Sequence, residues 1–365
     1  MQRIGYALIG CGRIAPNHLA AAVCHRERLE LLAVADTAPE NCDRLLGALP
    51  GDDRGAVRKY ADHREMLREV RPQLAAIATP SGSHAEIALD CIRAGCHVII
   101  EKPIALSLGD ADRILAAARE KGVWVSVCHQ NRFNKSIQRI RAAVEGNRFG
   151  RMLHGAAHIR WNRGKGYYDQ APWRGTWAED GGCLMNQCIH DIDLLRWMMG
   201  DDVDEVFAYT AQLKHPYLEA EDLGIALVRF GSGAYGVIEG TVNVYPKNLE
   251  ETLYLFGDAG TVKAGGRSVN VLEEWSFADG LDDAERIKAE CREDPPNIYG
   301  FGHTPLYADV IEAIEGGRCP RVDGEAGRRA LELVLAIYES AREGRPVKLP
   351  LAHASTLDSE GRFGR

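Results

Sequence analysis

The sequence has no apolar run approaching the roughly 20 residues that a membrane-spanning helix requires, and no internal repeat or low-complexity tract. It also has no Cys-x-x-Cys pair among its 10 cysteines, which argues against a zinc ribbon or a thioredoxin-type motif. Scattered along the chain, these cysteines read as reduced thiols filling small apolar spaces, the pattern of a cytoplasmic protein. There is no excess of basic charge: 44 Lys plus Arg stand against 52 Asp plus Glu, a net charge of −8. That balance excludes a broad nucleic-acid-binding surface but leaves room for a local basic pocket. Met1-Gln2-Arg3-Ile4 leads straight into a strand-like segment without the pattern of a signal peptide.

What is present is ordinary globular material: 45% hydrophobic and 26% charged residues over 365 positions. That length suggests two domains, each with its own core. Apolar strand-like runs at Ile4–Ile9, Leu29–Ala35, Leu74–Ala78, His97–Ile100 and Val123–Cys128 alternate with helical patterns around His18–His25, Asp62–Val70, Ala85–Ala94 and Leu108–Lys121. Such βα alternation predicts an α/β fold, a doubly wound parallel sheet of the Rossmann type. After residue 128 the rhythm changes. A helix is expected over Lys135–Glu145, then strands over Met152–Trp161, Glu205–Gln212, Gly224–Phe230, Tyr235–Val244 and Thr252–Phe256. Gly231-Ser232-Gly233 supplies a hairpin turn. Helices are expected at Leu184–Met199, Thr304–Glu315 and Glu325–Glu343, and the last dozen residues read as a loose polar tail. The expected division is a dinucleotide-binding domain over 1–128 and an α+β domain with an open, mostly antiparallel sheet over 129–365.

Gly10-Cys11-Gly12-Arg13-Ile14-Ala15 follows a strand and opens a helix, the context in which G-x-G-x-x-A binds a dinucleotide. Gly10 permits the turn, Gly12 lets the pyrophosphate approach, and Ala15 keeps helix and strand close. Asp36 ends the next strand, placed to accept ribose hydroxyls and repel a 2′-phosphate, which favours NAD over NADP. Thr79, Ser81 and His84 follow a third strand, and Glu101-Lys102-Pro103 a fourth, both at the carboxyl ends where open α/β sheets bind ligands. Gln130, Trp173 and Arg174 complete the expected cofactor set. In the second half, Asn186, His190 and Asp193 recur at i, i+4 and i+7, one face of a helix. Lys102 and His190 are the candidate acid–base pair for a hydroxyl beside nicotinamide. No metal site is indicated.

Taken together, Gly10–Ala15, Glu101-Lys102-Pro103 and the Gly181-Gly182…His190-x-x-Asp193 helix resemble the glucose–fructose oxidoreductase/inositol dehydrogenase/MocA (Gfo/Idh/MocA) family. The resemblance implies a cis bond before Pro103 and places Lys102 and His190 beside the reacting sugar carbon. Many members carry Asp where this chain has Asn186, so His190 lacks that carboxylate here. Tyr167-Tyr168-Asp169, Trp173-Arg174-Gly175-Thr176-Trp177, Met185-Asn186-Gln187 and Tyr245-Pro246-Lys247-Asn248 are similar to the bacterial UDP-N-acetylglucosaminuronate 3-dehydrogenases of surface-polysaccharide biosynthesis. That narrower likeness implies NAD-dependent oxidation at C3 of a nucleotide sugar. The substrate set expected from it is Lys102, Asn131, Arg132, Arg160, Tyr168, Asn186, His190 and Lys247, with Arg163 and Lys165 as further cations for an anionic ligand. An inositol or free-sugar dehydrogenase and a noncatalytic NAD-binding regulator are the rival readings. The family likeness and the open sheet imply a homodimer or homotetramer.

Overall fold

The computed structural model describes residues 3–49, 55–200, 202–295 and 299–363. In chain order the first part runs β1 (Ile4–Ile9), α1 (Ala15–Cys24), β2 (Leu29–Ala35), α2 (Pro39–Leu46), β3 (Arg58–Tyr60), α3 (His63–Val70), β4 (Leu74–Ile77), α4 (His84–Arg93), β5 (His97–Ile100), α5 (Leu108–Lys121) and β6 (Val125–Val127). The remainder comprises α6 (Lys135–Glu145), β7 (Met152–Arg160), α7 (Lys165–Tyr168), α8 (Ile189–Met199), β8 (Val203–Ala211), β9 (Leu223–Phe230), β10 (Tyr235–Thr241), β11 (Glu250–Gly257), β12 (Gly260–Gly265), β13 (Val271–Phe277), α9 (Ala284–Cys291), α10 (His303–Gly316), α11 (Gly324–Glu343) and β14 (Val347–Lys348).

Two compact units result. The first holds Met1–Ala105, Gly109–His129 and His303–Arg328. Its parallel sheet has the order β3-β2-β1-β4-β5-β6, the doubly wound arrangement with a switch point between β1 and β4. β1, β4 and β5 are almost wholly buried, as strands covered on both faces must be. This unit differs from the expected single cut at residue 128, because α10 returns to it. The Tyr307 ring meets Tyr6 of β1 edge-on at 5.8 Å, and Thr304 accepts a hydrogen bond from His25 at 2.9 Å. Periodicity announces a helix there, but not which sheet it covers.

The second unit holds Leu106–Leu108, Gln130–Gly302 and Arg329–Arg365. Its sheet runs β13-β12-β11-β7-β10-β9-β8-β14, antiparallel throughout except for the β7–β10 pair. The hairpin at Gly231–Gly233 closes as its sequence suggests, with Phe230 N–H donating to Ala234 O at 2.9 Å. One face is pressed by the helix that carries His190. Gly224 and Gly240 pair across β9 and β10, and a Cβ on either would lie 2.5 Å from the Leu184 side chain, so only glycine admits the helix this closely. The other face is half-solvated: Phe207–Leu227–Val237 and Tyr209–Ile225 line up across neighbouring strands.

Short or polar elements escaped the sequence pattern. β3, three residues of Arg-Lys-Tyr at a sheet edge, has no apolar signature, and α2, β13 and α9 were likewise not marked. The tail is not loose through its length: Ser355 and Asp358 form a reciprocal capping box on a 3-10 turn at Thr356–Ser359, and the buried Thr356 hydroxyl donates to Trp177 O at 2.7 Å. The ten cysteines are free thiols, eight of them buried.

Glu221 lies beneath the helix that carries His190. It accepts from Leu184 N–H at 2.8 Å on an oxygen 2.7 Å from the Tyr338 hydroxyl. Burial pushes its pKa up to about 8, against backbone and Tyr338 hydrogen bonds that lower it. The folded state therefore holds a proton that the unfolded chain releases near pH 4.5, so this contribution is intact at low pH and fades as pH rises through 8. Urea unfolding from pH 5 to 8 should show Glu221→Gln gaining on the unmodified protein as pH rises, at up to about 1.4 kcal/mol per pH unit; parallel pH dependences would contradict this.

Candidate active site

At the carboxyl edge of the first sheet, Gly10 adopts φ +91°, and a Cβ there would lie 2.6 Å from the Ala78 backbone. Gly12 instead faces open space, with nothing within 4 Å of a Cβ position. This is the open cradle a pyrophosphate needs at the start of α1. Arg13 is exposed, Ile14 precedes the helix and Ala15 is fully buried against the sheet. Asp36 is aimed by three donors: Cys11 N–H at 2.8 Å, Ala38 N–H at 2.9 Å and Asn41 Nδ2 at 3.0 Å. Its carboxylate is half-buried at the end of β2, beside the glycine turn. These residues fit NAD: they would hold the diphosphate on backbone N–H groups and the adenine ribose on a carboxylate.

Around β4 and β5 the expected residues divide by role. Thr79 is half-buried, its hydroxyl 2.8 Å from Ser83 Oγ, and Ser81 is buried in the following turn. The two ring nitrogens of His84 lie 2.8 Å from Pro103 O and 3.0 Å from Thr79 O. Burial lowers the His84 pKa, and because both neighbours are carbonyl oxygens the neutral ring donates to only one of them. Lys102 is half-buried, and its bond to Pro103 is cis, as the family likeness implied. Glu101, expected to face the cofactor, is buried within the unit, its Oε1 3.1 Å from His18 Nε2 and 3.3 Å from His303 Nε2.

In the second unit the helix bearing His190 opens with a π turn, Leu184–Cys188, before regular α-helix begins at Ile189. The wider turn breaks the single face expected for Asn186, His190 and Asp193. Asn186 turns to donate to Asp180, which brings a carboxylate beside its amide. His190 and Asp193 face the turn at Gln130–Phe133: Gln130 Nε2 lies 3.4 Å from His190 Nε2, and Arg132 grips Asp193 through two bonds of 2.6 and 2.7 Å. The Gln130 amide nitrogen only donates, so His190 Nε2 is the acceptor in this contact.

Several expected ligand residues have internal partners. Arg132 is buried in its Asp193 pair, and Arg160 is paired with Glu239 and Glu250. Asn131 is buried, donating to Glu251 at 3.1 Å and accepting from Ser268 at 3.2 Å. Tyr168 is buried among Tyr167, His215 and Tyr217. Lys247 is exposed, and Lys165, also exposed, pairs with Asp169 at 2.5 Å. Trp173 is half-buried under the Arg174 guanidinium at 4.4 Å, whereas Trp177 is core.

Two features were not named from sequence. Tyr167 is a hub: its hydroxyl receives Arg174 at 2.5 Å and Gln187 at 2.8 Å, while Arg163 reaches Gln187 Oε1 at 3.0 Å and Asn248 Oδ1 at 3.0 Å. The Met185-Asn186-Gln187 and Tyr167-Tyr168 strings marked these positions without giving them roles. Asp191 and Glu251 form a buried carboxyl pair beside His190 in the chain. Burial raises both, Asp191 to about 7; the charge of Asp191 raises Glu251 further, while the hydrogen bond with Glu251 lowers Asp191, so at neutral pH the pair retains a proton. Nothing in an Ile-His-Asp-Ile-Asp run shows that its first Asp meets a Glu sixty residues away.

Comparison with known proteins identifies the family. Residues 4–129 match the model of the Gfo/Idh/MocA oxidoreductase family's NAD-binding Rossmann fold, and residues 141–349 match that of its C-terminal alpha/beta domain. The chain belongs to the Gfo/Idh/MocA oxidoreductase family. It is similar to the WlbA dehydrogenase from Bordetella pertussis, solved with NADH and UDP-GlcNAcA, at 40% identity over 96% of this chain and 99% of that one, with a TM-score of 0.87. The WlbA dehydrogenase from Chromobacterium violaceum, solved with the same two ligands, is 38% identical over 96% and 97% of the chains, with a TM-score of 0.86. The myo-inositol 2-dehydrogenase of Thermotoga maritima is 27% identical over 95% of this chain and 98% of its own. The chain is an NAD-dependent oxidoreductase. Replacing Asp36 by Ala should weaken NAD binding at least about tenfold, roughly the worth of a charge-assisted hydrogen bond, and narrow the preference over NADP; NADH fluorescence titration with both cofactors measures it, and unchanged affinities would remove Asp36 from the ribose site.

Proposed function

We propose that this chain oxidises the C3 hydroxyl of UDP-2-acetamido-2-deoxy-D-glucuronate to the 3-keto sugar, a step in bacterial surface-polysaccharide (diacetamido uronic acid) biosynthesis. The observation that carries this reading is the 40% identity, across nearly the whole chain, to an enzyme solved with NADH and UDP-GlcNAcA. The chemistry of the second unit supports it. Arg163 and Arg174 hydrogen-bond neutral partners, Asn248 and Gln187 for one and Tyr167 for the other, leaving guanidinium charge for an anion. Arg132 and Arg160, by contrast, are matched by carboxylates.

In this proposal His190 takes the proton from the C3 hydroxyl through Nε2, and Lys102 stabilises the developing charge on that oxygen. NAD, when bound, supplies the hydride acceptor. Gln130 orients the His190 ring. Tyr167, Gln187, Arg163 and Arg174 recognise the anionic groups of the sugar nucleotide. The likeness to myo-inositol 2-dehydrogenase keeps oxidation of a free polyol as a second reading.

NADH formation across a panel of UDP-sugars, inositols and free hexoses separates the two. UDP-N-acetylglucosaminuronate should be oxidised fastest by at least tenfold; a faster inositol would replace the proposal with the second reading. His190→Asn and Lys102→Ala should each keep NAD binding and lose about a hundredfold or more in turnover, the scale of a missing acid–base group. Normal turnover in either would withdraw its role.

The half-solvated sheet face supports a homo-oligomer. Tyr209 is 68% exposed, Tyr235 59% and Leu227 57%, on three adjacent strands of the second unit. An apolar face of this kind calls for cover. Sedimentation should show a dimer or tetramer that Leu227→Glu dissociates; a monomer in the unmodified protein would contradict this.

A further inference from the structure

The helix that carries His190 is not capped by the residue before it. Cys183, which precedes the π turn, makes no side-chain hydrogen bond to the turn. Its leading N–H groups are met instead by two residues far along the chain. Leu184 N–H donates to Glu221 Oε1 at 2.8 Å, and Met185 N–H donates to the Tyr338 hydroxyl of α11 at 3.3 Å. Gly182 makes this approach possible. It adopts φ +98°, and a Cβ there would overlap the Glu221 carboxyl and lie 2.7 Å from the Tyr338 oxygen. The proposed reaction uses neither Glu221 nor Tyr338.

The proton positions follow from a count of donors. The Tyr338 oxygen lies 2.7 Å from Glu221 Oε1 and 2.8 Å from Gly181 O. A phenol has one proton to give, and a backbone carbonyl has none. Both contacts are hydrogen bonds only if Glu221 supplies the second proton. The order is then fixed: Glu221 Oε1–H donates to Tyr338, and Tyr338 O–H donates to Gly181 O. Glu221 Oε2 has no hydrogen-bond partner among the described residues, and ionisation would put charge on that bare, buried oxygen. Burial raises the Glu221 pKa to about 8, in keeping with this count. The other titratable groups that act on Glu221 are Asp180 and Cys183 before the π turn, Tyr168 of α7 and Arg362 near the end of the chain; the charge of Asp180 opposes its ionisation.

We infer that Glu221 and Tyr338 are positioning residues: joined by one proton, they form a remote cap that ties the Gly181–Gly182 turn to Leu184 and Met185 and so sets where the π turn presents Asn186 and Gln187. Loss of that proton leaves Tyr338 facing two acceptors and frees Gly181 O. The cap lies wholly within the second unit. Its use in sugar recognition rests on the nucleotide-sugar dehydrogenase reading.

Amide hydrogen exchange on the intact protein, read by mass spectrometry at single-residue level and corrected for intrinsic rates, tests the cap without substrate. Opening the turn exposes Glu221 and releases its proton. Protection at Leu184 and Met185 should therefore fall about tenfold per pH unit between pH 5 and 8 and level off above. In Glu221→Gln, neutral at every pH, it should stay flat. Protection independent of pH in the unmodified protein, or an equal slope in Glu221→Gln, would overturn the inference. Glu221→Ala and Tyr338→Phe should each lower protection at Leu184 and Met185 about tenfold more than at the amides of β7, the scale of a lost cap. Equal losses at both places would reveal a general stability effect and overturn it. Should these variants not fold, the pH series on the unmodified protein still decides. On whichever sugar is oxidised, Tyr338→Phe should raise KM about fivefold, roughly the worth of one misplaced hydrogen bond, with NADH affinity unchanged; an unchanged KM would overturn the positioning role. If no sugar is oxidised while protection follows pH, the cap stands and only the nucleotide-sugar reading is withdrawn.

Discussion

The first unit depends on the contact between the Gly10 turn and the end of β4. With no side chain at position 10, the loop after β1 lies directly against the Ala78–Thr79 backbone. A Cβ would push these loops apart and open the switch point of the sheet. Because they stay together, the glycine turn, Asp36, Thr79 and Lys102 all lie at the carboxyl edge of one sheet, where helix N-termini and unpaired backbone groups favour an anionic dinucleotide. His84 extends the constraint sideways by joining the Thr79 loop to Pro103.

The second unit solves a different problem, how to fix a histidine on a helix against an open sheet. Glycines on β9 and β10 let the helix sink toward the strands, and buried polar groups then set its rotation. Arg132 and Asp193 form a matched ion pair that costs a great deal to break on one side only. Burial raises the carboxyls of Glu221 and of the Asp191–Glu251 pair, so Glu221 is protonated at neutral pH and the pair shares a proton. Such groups hold the helix while adding less charge to the interior than ionised carboxylates would.

Arginine illustrates how charge is apportioned in this acidic chain. The guanidinium groups of Arg132 and Arg160 are neutralised by carboxylates, and those of Arg163 and Arg174 stack on aromatic rings and bond neutral amides and a phenol. The second arrangement leaves an electropositive, pre-organised surface, which suits a carboxylate or diphosphate better than a count of nearby cations suggests. From sequence the four residues are indistinguishable, since what separates them is the identity of a neighbour far along the chain.

The local signals determined a good deal by themselves. Gly10-x-Gly12 after an apolar strand, Asp36 at the end of the next, and Lys102-Pro103 at the end of another specify a dinucleotide edge, because strand period, turn chemistry and helix start are short-range properties. The hairpin at Gly231–Gly233 and the helix carrying His190 were legible for the same reason. Only the tertiary structure decided that α10 packs on α1 and β1, that Glu101 turns inward to two histidines rather than outward, that a π turn separates Asn186 from the His190 face, and that Tyr167 gathers Arg174 and Gln187. Each of these depends on desolvation and pairing between residues distant in sequence, and no spacing rule encodes such partners.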